Sequence, residues 1–181
     1  MTHKRIVKFA REAGYSYLEM VAAVGIVSIL VAVAINKLAG LQVDAERTAV
    51  ESTVGALRSA LGIKVAELIS KNDVAGILAL AGSNPMDRLA EQPKNYLGTV
   101  NADNPGNIER GKWYFDTASQ LLVYRVINAM HFAGSIGTPA RMRFQVRLVF
   151  TDSNGNKVFD PGMDAVEGVR LTAMEPYRWI E

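Results

Sequence analysis

The 181-residue chain is 49% hydrophobic and 21% charged, a size and balance that suit one soluble domain plus one membrane helix and leave little room for a second domain. Its formal charge of +2 is local to the start: Lys4, Arg5, Lys8 and Arg11 are offset there only by Glu12, and without these five the 20 basic and 18 acidic residues become 16 and 17, a net of −1. The folded part is therefore not basic as a whole, which argues against a nucleic-acid-binding protein, and the absence of cysteine excludes disulfides and thiolate metal sites.

From Tyr15 to Ile35 the sequence reads YSYLEMVAAVGIVSILVAVAI, close to the roughly 20 apolar residues that a helix rising 1.5 Å per residue needs to cross a hydrocarbon core. The basic cluster before it predicts, by the positive-inside bias, an N-terminus kept in the cytoplasm and an exported remainder. Two ordinary segments share these features. A conventional signal peptide would be cut after Ala32-Val33-Ala34 and release a secreted or periplasmic binding protein, and a plain signal anchor would not be cut at all. Neither accounts for Glu19, because an ionised carboxylate within a bilayer costs a few kcal/mol and marks a partner or a function.

The stretch AG/YSYLEMVAAVGIVSILVAVAI resembles the N-terminal signal of type IV prepilins and type II secretion pseudopilins. In that family a short basic leader ends in glycine, an aromatic residue follows the cut, glutamate is fifth in the mature chain and about twenty apolar residues come next. Matched by position, the leader glycine is Gly14, the new N-terminus Tyr15 and the fifth residue Glu19. The resemblance implies that prepilin peptidase cuts between Gly14 and Tyr15 and N-methylates the new amine. In the assembled filament that amine would pair with Glu19 of a neighbouring subunit, so that a buried charge satisfied only across a subunit boundary sets the assembly register. Tyr15 departs from the family's usual Phe. The proline common near the far end of the span is also missing, with Asn36 in its place, so a proline kink is not expected.

Beyond Asn36 the apolar positions become periodic. Val50, Val54, Leu57, Leu61, Val65 and Leu68 recur every three or four residues among charged ones, the pattern of an amphipathic helix. No proline occurs between Tyr15 and Ser83, which predicts one helix to about Lys71, ended by KND at Lys71 to Asp73. The expected organisation is a leader over 1–14, a transmembrane or filament-core helix over 15–36, its amphipathic continuation over 37–72, and a globular head over 73–181.

Ser83 to Gly98, with Pro85, Pro93 and Gly98, reads as a structured loop, and VNADNPGNIERG after it as a polar exposed run. KWYFD, LLVYRVI, MRFQVRLVF and VRLTAM alternate with period two. They predict about four antiparallel strands with one face free to cover the helix stripe, and HFAGSIGTPAR, His131 to Arg141, as a link across the sheet. The fold class is α+β, and the resemblance implies a type IV pilin-like architecture.

The one candidate metal site is DSNGNKVFDPGMD. Asp152, Asn154, Asn156 and Asp160 occupy the first, third, fifth and ninth places of a calcium-loop pattern, with Asp164 or Glu167 as further oxygen donors. Lys157 stands where an EF-hand has glycine and Met163 where it has glutamate, so it is not an EF-hand. The alternative is a turn capped by Asp152. His3 and His131 are the only histidines, and neither a phosphate loop nor a nucleophile elbow is present, so no enzyme is expected. Trp113, Tyr114, Phe115 and Trp179 read as packing residues.

The sequence thus points to a structural subunit, a minor pilin in the first instance, processed at Gly14 and Tyr15 and assembled through Glu19. Its partners would be prepilin peptidase, other pilin or pseudopilin subunits, the bacterial inner membrane and, indirectly, an assembly platform and ATPase. No cofactor is expected beyond the calcium option, and no nucleic acid. A type II secretion pseudopilin and a secreted binding protein are the alternatives.

Overall fold

A computed structural model describes residues 16–101 and 104–180. The chain is α+β and divides into two compact units, Met1–Leu41 and Gln42–Glu181. One helix, α1 (Tyr17–Ser70), contributes to both.

In the first unit every side chain from Ser16 to Ile35 is exposed in the isolated chain, among them Leu18, Ile26, Ile29 and Leu30. The helix is long and apolar enough to cross a membrane.

In the second unit α1 becomes amphipathic. Val43, Val50, Val54, Leu57, Leu61 and Leu68 are buried, while Val65 is half-buried. The helix ends where KND predicted a stop. Asn72 adopts a left-handed φ of 51°, its N–H bonds the Ile69 carbonyl at 3.0 Å, and the Asp73 N–H bonds the Leu68 carbonyl at 2.9 Å. Those two bonds form a Schellman motif with asparagine in the place usually taken by glycine. Asp73 then caps the short helix α2 (Val74–Leu78) by accepting from the Gly76 N–H at 2.8 Å.

The main sheet has five strands: β1 (Tyr96–Val100), β2 (Trp113–Asp116), β3 (Leu121–Arg125), β5 (Arg141–Thr151) and β6 (Ala165–Ala173), in the order β1-β2-β3-β5-β6. A second sheet pairs β4 (Phe132–Gly134) with β7 (Tyr177–Trp179). The expectation of about four antiparallel strands is corrected on two counts. The main sheet is mixed, because β1 runs parallel to β2 while every other pairing in it is antiparallel. Strand β1 straddles the end of the stretch read as loop, Ser83 to Gly98, and the start of the run read as polar at Val100, where Gly98 at φ 89° and the nearby prolines obscure a five-residue alternation. Within the segment read as a link, Phe132–Gly134 forms β4, recognisable only from its distant partner.

The core lies between the α1 stripe and the inner face of the sheet: Trp113, Phe115, Leu122, Tyr124, Met142, Phe144, Val146 and Leu171 meet Val50, Val54, Leu57 and Leu61. Glu46 is buried among them. Its Oε1 accepts from the Tyr124 hydroxyl at 3.0 Å and the Ile127 N–H at 2.6 Å, and its Oε2 from the Asn128 N–H at 3.0 Å and side-chain amide at 2.8 Å. Burial, followed by the Glu46 charge and hydrogen bond, pushes the Tyr124 phenol far above its ordinary range.

Leu57→Ala should cost about 2–5 kcal/mol of unfolding free energy by cavity formation. Glu46→Ala, which strips four donors of their acceptor, should cost on the order of 3 kcal/mol. Ile63→Ala, at a side chain 72% exposed, should stay within about 0.5 kcal/mol. Urea denaturation followed by far-UV circular dichroism checks all three.

Candidate functional site

The sequence singles out two places, the start of α1 and the β5–β6 connection. Gly14 and Tyr15 lie outside the described residues. Glu19 is exposed in the first turn of α1, where it closes a reciprocal hydrogen-bonded box: the Ser16 N–H donates to Glu19 Oε2 at 2.9 Å, and the Glu19 N–H donates to Ser16 Oγ at 3.2 Å. This is a capping box, in which two donors left over at a helix start find acceptors in each other's residue. Ser-x-x-Glu ahead of an apolar run is its sequence signature, a signal overlooked when Glu19 is read only as a charge in an apolar segment. The box engages Oε2, and a carboxylate has a second oxygen with which to meet a cation.

The β5–β6 loop brings three of its four predicted ligands into contact. The side-chain amides of Asn154 and Asn156 each donate to Asp160 Oδ2 at 2.7 Å. Asp152 closes its own turn, accepting from the N–H groups of Gly155 at 2.7 Å, Lys157 at 2.7 Å and Asn154 at 3.3 Å. The Asn154 and Asn156 side-chain oxygens accept from the N–H groups of Asn156 and Val158. Asp164 braces the loop from its far end by accepting from the Ser153 and Asp160 N–H groups, while Glu167 accepts from the Thr151 hydroxyl at 2.7 Å.

The oxygens a calcium ion would use on Asp152, Asn154 and Asn156 are thus engaged by backbone N–H groups, and Asp160 faces amide nitrogens. As arranged, the residues fit a self-capped turn. A cation would have to displace the two asparagine amides. Among the described residues no group of three or more His, Cys, Asp or Glu side chains is arranged to hold a metal.

Two features outside these places were not singled out as sites. Glu46 looks in sequence like one more charge between apolar positions, and only the fold shows which donors its carboxylate meets. The sheet face opposite α1 carries Arg125, Arg141, Arg143 and Arg147, recognisable in sequence on β5 alone. Trp113, Tyr114 and Phe115 are buried and Trp179 is half-buried.

Comparison with protein-family models, with curated proteins and with solved structures finds no match to this chain.

The backbone hydrogen bonds at Asp152, that from Lys157 first, hold its carboxyl below the ordinary aspartate range. A lowered folded-state value means that the turn gains stability above the unfolded value of about 3.9 and loses it as pH falls through the lower folded one. In an NMR titration the Gly155 and Lys157 amide shifts should move together with one midpoint below about 3.9. Asp152→Asn should abolish that step.

Proposed function

We propose that the chain is the precursor of a type IV pilin-like filament subunit, a minor pilin in the first instance, with a type II secretion pseudopilin as the alternative. The observation that carries this reading is Glu19: a carboxylate in the first turn of a 54-residue helix whose initial stretch exposes apolar side chains. The α+β head with its core on the same helix is consistent with a pilin-like fold.

In this reading the helix waits in the inner membrane, N-terminus inside, until prepilin peptidase cuts after Gly14. The new amine at Tyr15 is the cation that Glu19 lacks. Packed against other copies, the exposed apolar stretch exchanges lipid contacts for helix contacts, so that leaving the bilayer is not strongly uphill. The filament then stands in the periplasm or outside the cell. The head does mechanical work and no catalysis, and the β5–β6 loop holds its shape through its own hydrogen bonds. A rise in melting temperature with added calcium would assign that loop to a cation instead.

The capping box makes the role of Glu19 separable. Glu19→Gln keeps a residue suited to the box and removes the charge, whereas Glu19→Val removes both. If intersubunit charge pairing governs assembly, both variants should be processed normally and both should incorporate poorly. Normal incorporation of Glu19→Gln would reduce the residue to a local cap.

Mass spectrometry of the mature protein should find N-methyl-Tyr15 at its start. A chain starting at Ile35 would mean conventional secretion, and one starting at Met1 or Thr2 an uncut anchor. Gly14→Leu should leave the precursor uncut.

A further inference from the structure

The outer face of the main sheet carries an unusual charge arrangement. On β5, Arg141, Arg143 and Arg147 alternate with the buried Met142, Phe144 and Val146. The register sets Arg141 directly opposite Arg125 of β3, and Arg147 directly opposite Arg170 of β6. Like charges facing each other across a strand pair destabilise a sheet, so two arginine pairs on one face are a cost to the isolated chain.

Of these five, only Arg143 has a carboxylate partner among the described residues, Glu175, with Nε to Oε2 at 3.2 Å. Arg147 donates to the Gln145 side-chain oxygen at 3.2 Å and Arg141 to the Pro139 carbonyl at 3.0 Å. Arg125 is buried, donates to the Pro105 carbonyl and leaves its Nε without a partner. Arg147 and Arg170 are exposed.

The same hairpin ends in the opposite charge. Its tip holds Asp152, Asp160 and Asp164 against Lys157 alone, with the three carboxylates positioned by the loop hydrogen bonds, and Glu167 follows. No ion pair joins the tip aspartates to the arginines of their own stem among the described residues. From Arg147 to the end of β5 at Thr151 are four residues of paired strand, about 13 Å at 3.3 Å per residue.

We propose that the acidic hairpin tip of one copy docks on the arginine face of the next, a contact that rests on the filament reading above. Tip and face are different surfaces, so the contact is head-to-tail, and such contacts repeat into open filaments where their rotation does not close a ring. The charges would guide encounter and register, and salt would weaken the contact.

The chain has no cysteine, so single-cysteine cross-linking of the full-length protein in detergent tests this directly. One sample carries Thr172→Cys on the face, the other Val158→Cys at the tip. On mild oxidation the mixed disulfide should exceed either homodimer by about tenfold, the low end of coupling for close interfacial charge pairs. It should fall as salt is raised and fall strongly when the face chain also carries Arg147→Glu and Arg170→Glu. It should recover when the tip chain then carries Asp160→Lys and Glu167→Lys. Arg170→Gln, which only neutralises, should weaken it less.

Equal yields of all dimers, dominance of the 172–172 homodimer, or indifference to charge reversal would overturn the contact. So would a reversal that abolishes binding of a short oligonucleotide and leaves the cross-link untouched, because the face would then belong to a polyanion. N-methyl-Tyr15 at the mature N-terminus with no mixed cross-link would sink this contact alone. A mixed cross-link in a protein starting at Ile35 would sink the filament reading alone.

Discussion

Four hydrogen-bond donors converge on the Glu46 carboxylate, and the way the sheet sits on α1 within the second unit depends on them. The acid comes from the helix, and the donors come from the end of β3 and the three residues beyond it. Apolar contacts along the stripe are many but not directional, and they would tolerate a helix rotated or shifted by a few degrees. A buried anion whose partners are two backbone N–H groups, an amide and a phenol does not, because any slip leaves a charge unsatisfied in a poorly solvated place.

With the helix held there, the rest of the head follows. Phe144 and Met142 meet the α1 stripe because β5 presents one side of its alternation to the helix, and the arginines between them must then face the other way. The basic face is thus a geometric consequence of packing the core, while its charge is a choice made at each outward position. The long β5–β6 hairpin carries that choice from stem to tip, where aspartates replace arginines. At the other end of the sequence Glu19 closes the helix start with Ser16 through its Oε2.

Much of this was legible from local pattern. The continuous α1, its end at Asn72 and the strands around Trp113, Tyr124, Phe144 and Leu171 follow from periods of 3.6 and 2 that each segment displays by itself. What escaped depends on partners far away in the chain. Strand β1 is defined by its parallel neighbour β2 and is interrupted by Gly98. Strands β4 and β7 have three residues each and only each other. The placement of Glu46 on the buried stripe is readable once Val43 and Val50 are included, but its four donors lie about eighty residues away, as the separations of 78 to 82 positions show. In the β5–β6 loop the spacing of oxygens was visible, whereas their orientation toward backbone N–H groups was not, because orientation is decided by the turn and not by composition.

The extent of β5 has one more consequence. Strand β3 accompanies it only as far as Phe144, and from Gln145 to Thr151 the ladder partner is β6 alone. Val146 and its partner Leu171 still belong to the main core around Leu57, but beyond them the hairpin rests on a small separate cluster, Leu68, Ile77 and Leu80 with Val65, Leu148, Val166 and Val169 at its margin. The head therefore contains a seam: from Leu148 outward the hairpin is backed by three buried side chains, Leu68, Ile77 and Leu80, while Trp113, Phe144 and Leu57 belong to the larger core. A segment backed by so few buried side chains has less to lose on local unfolding than the sheet's centre.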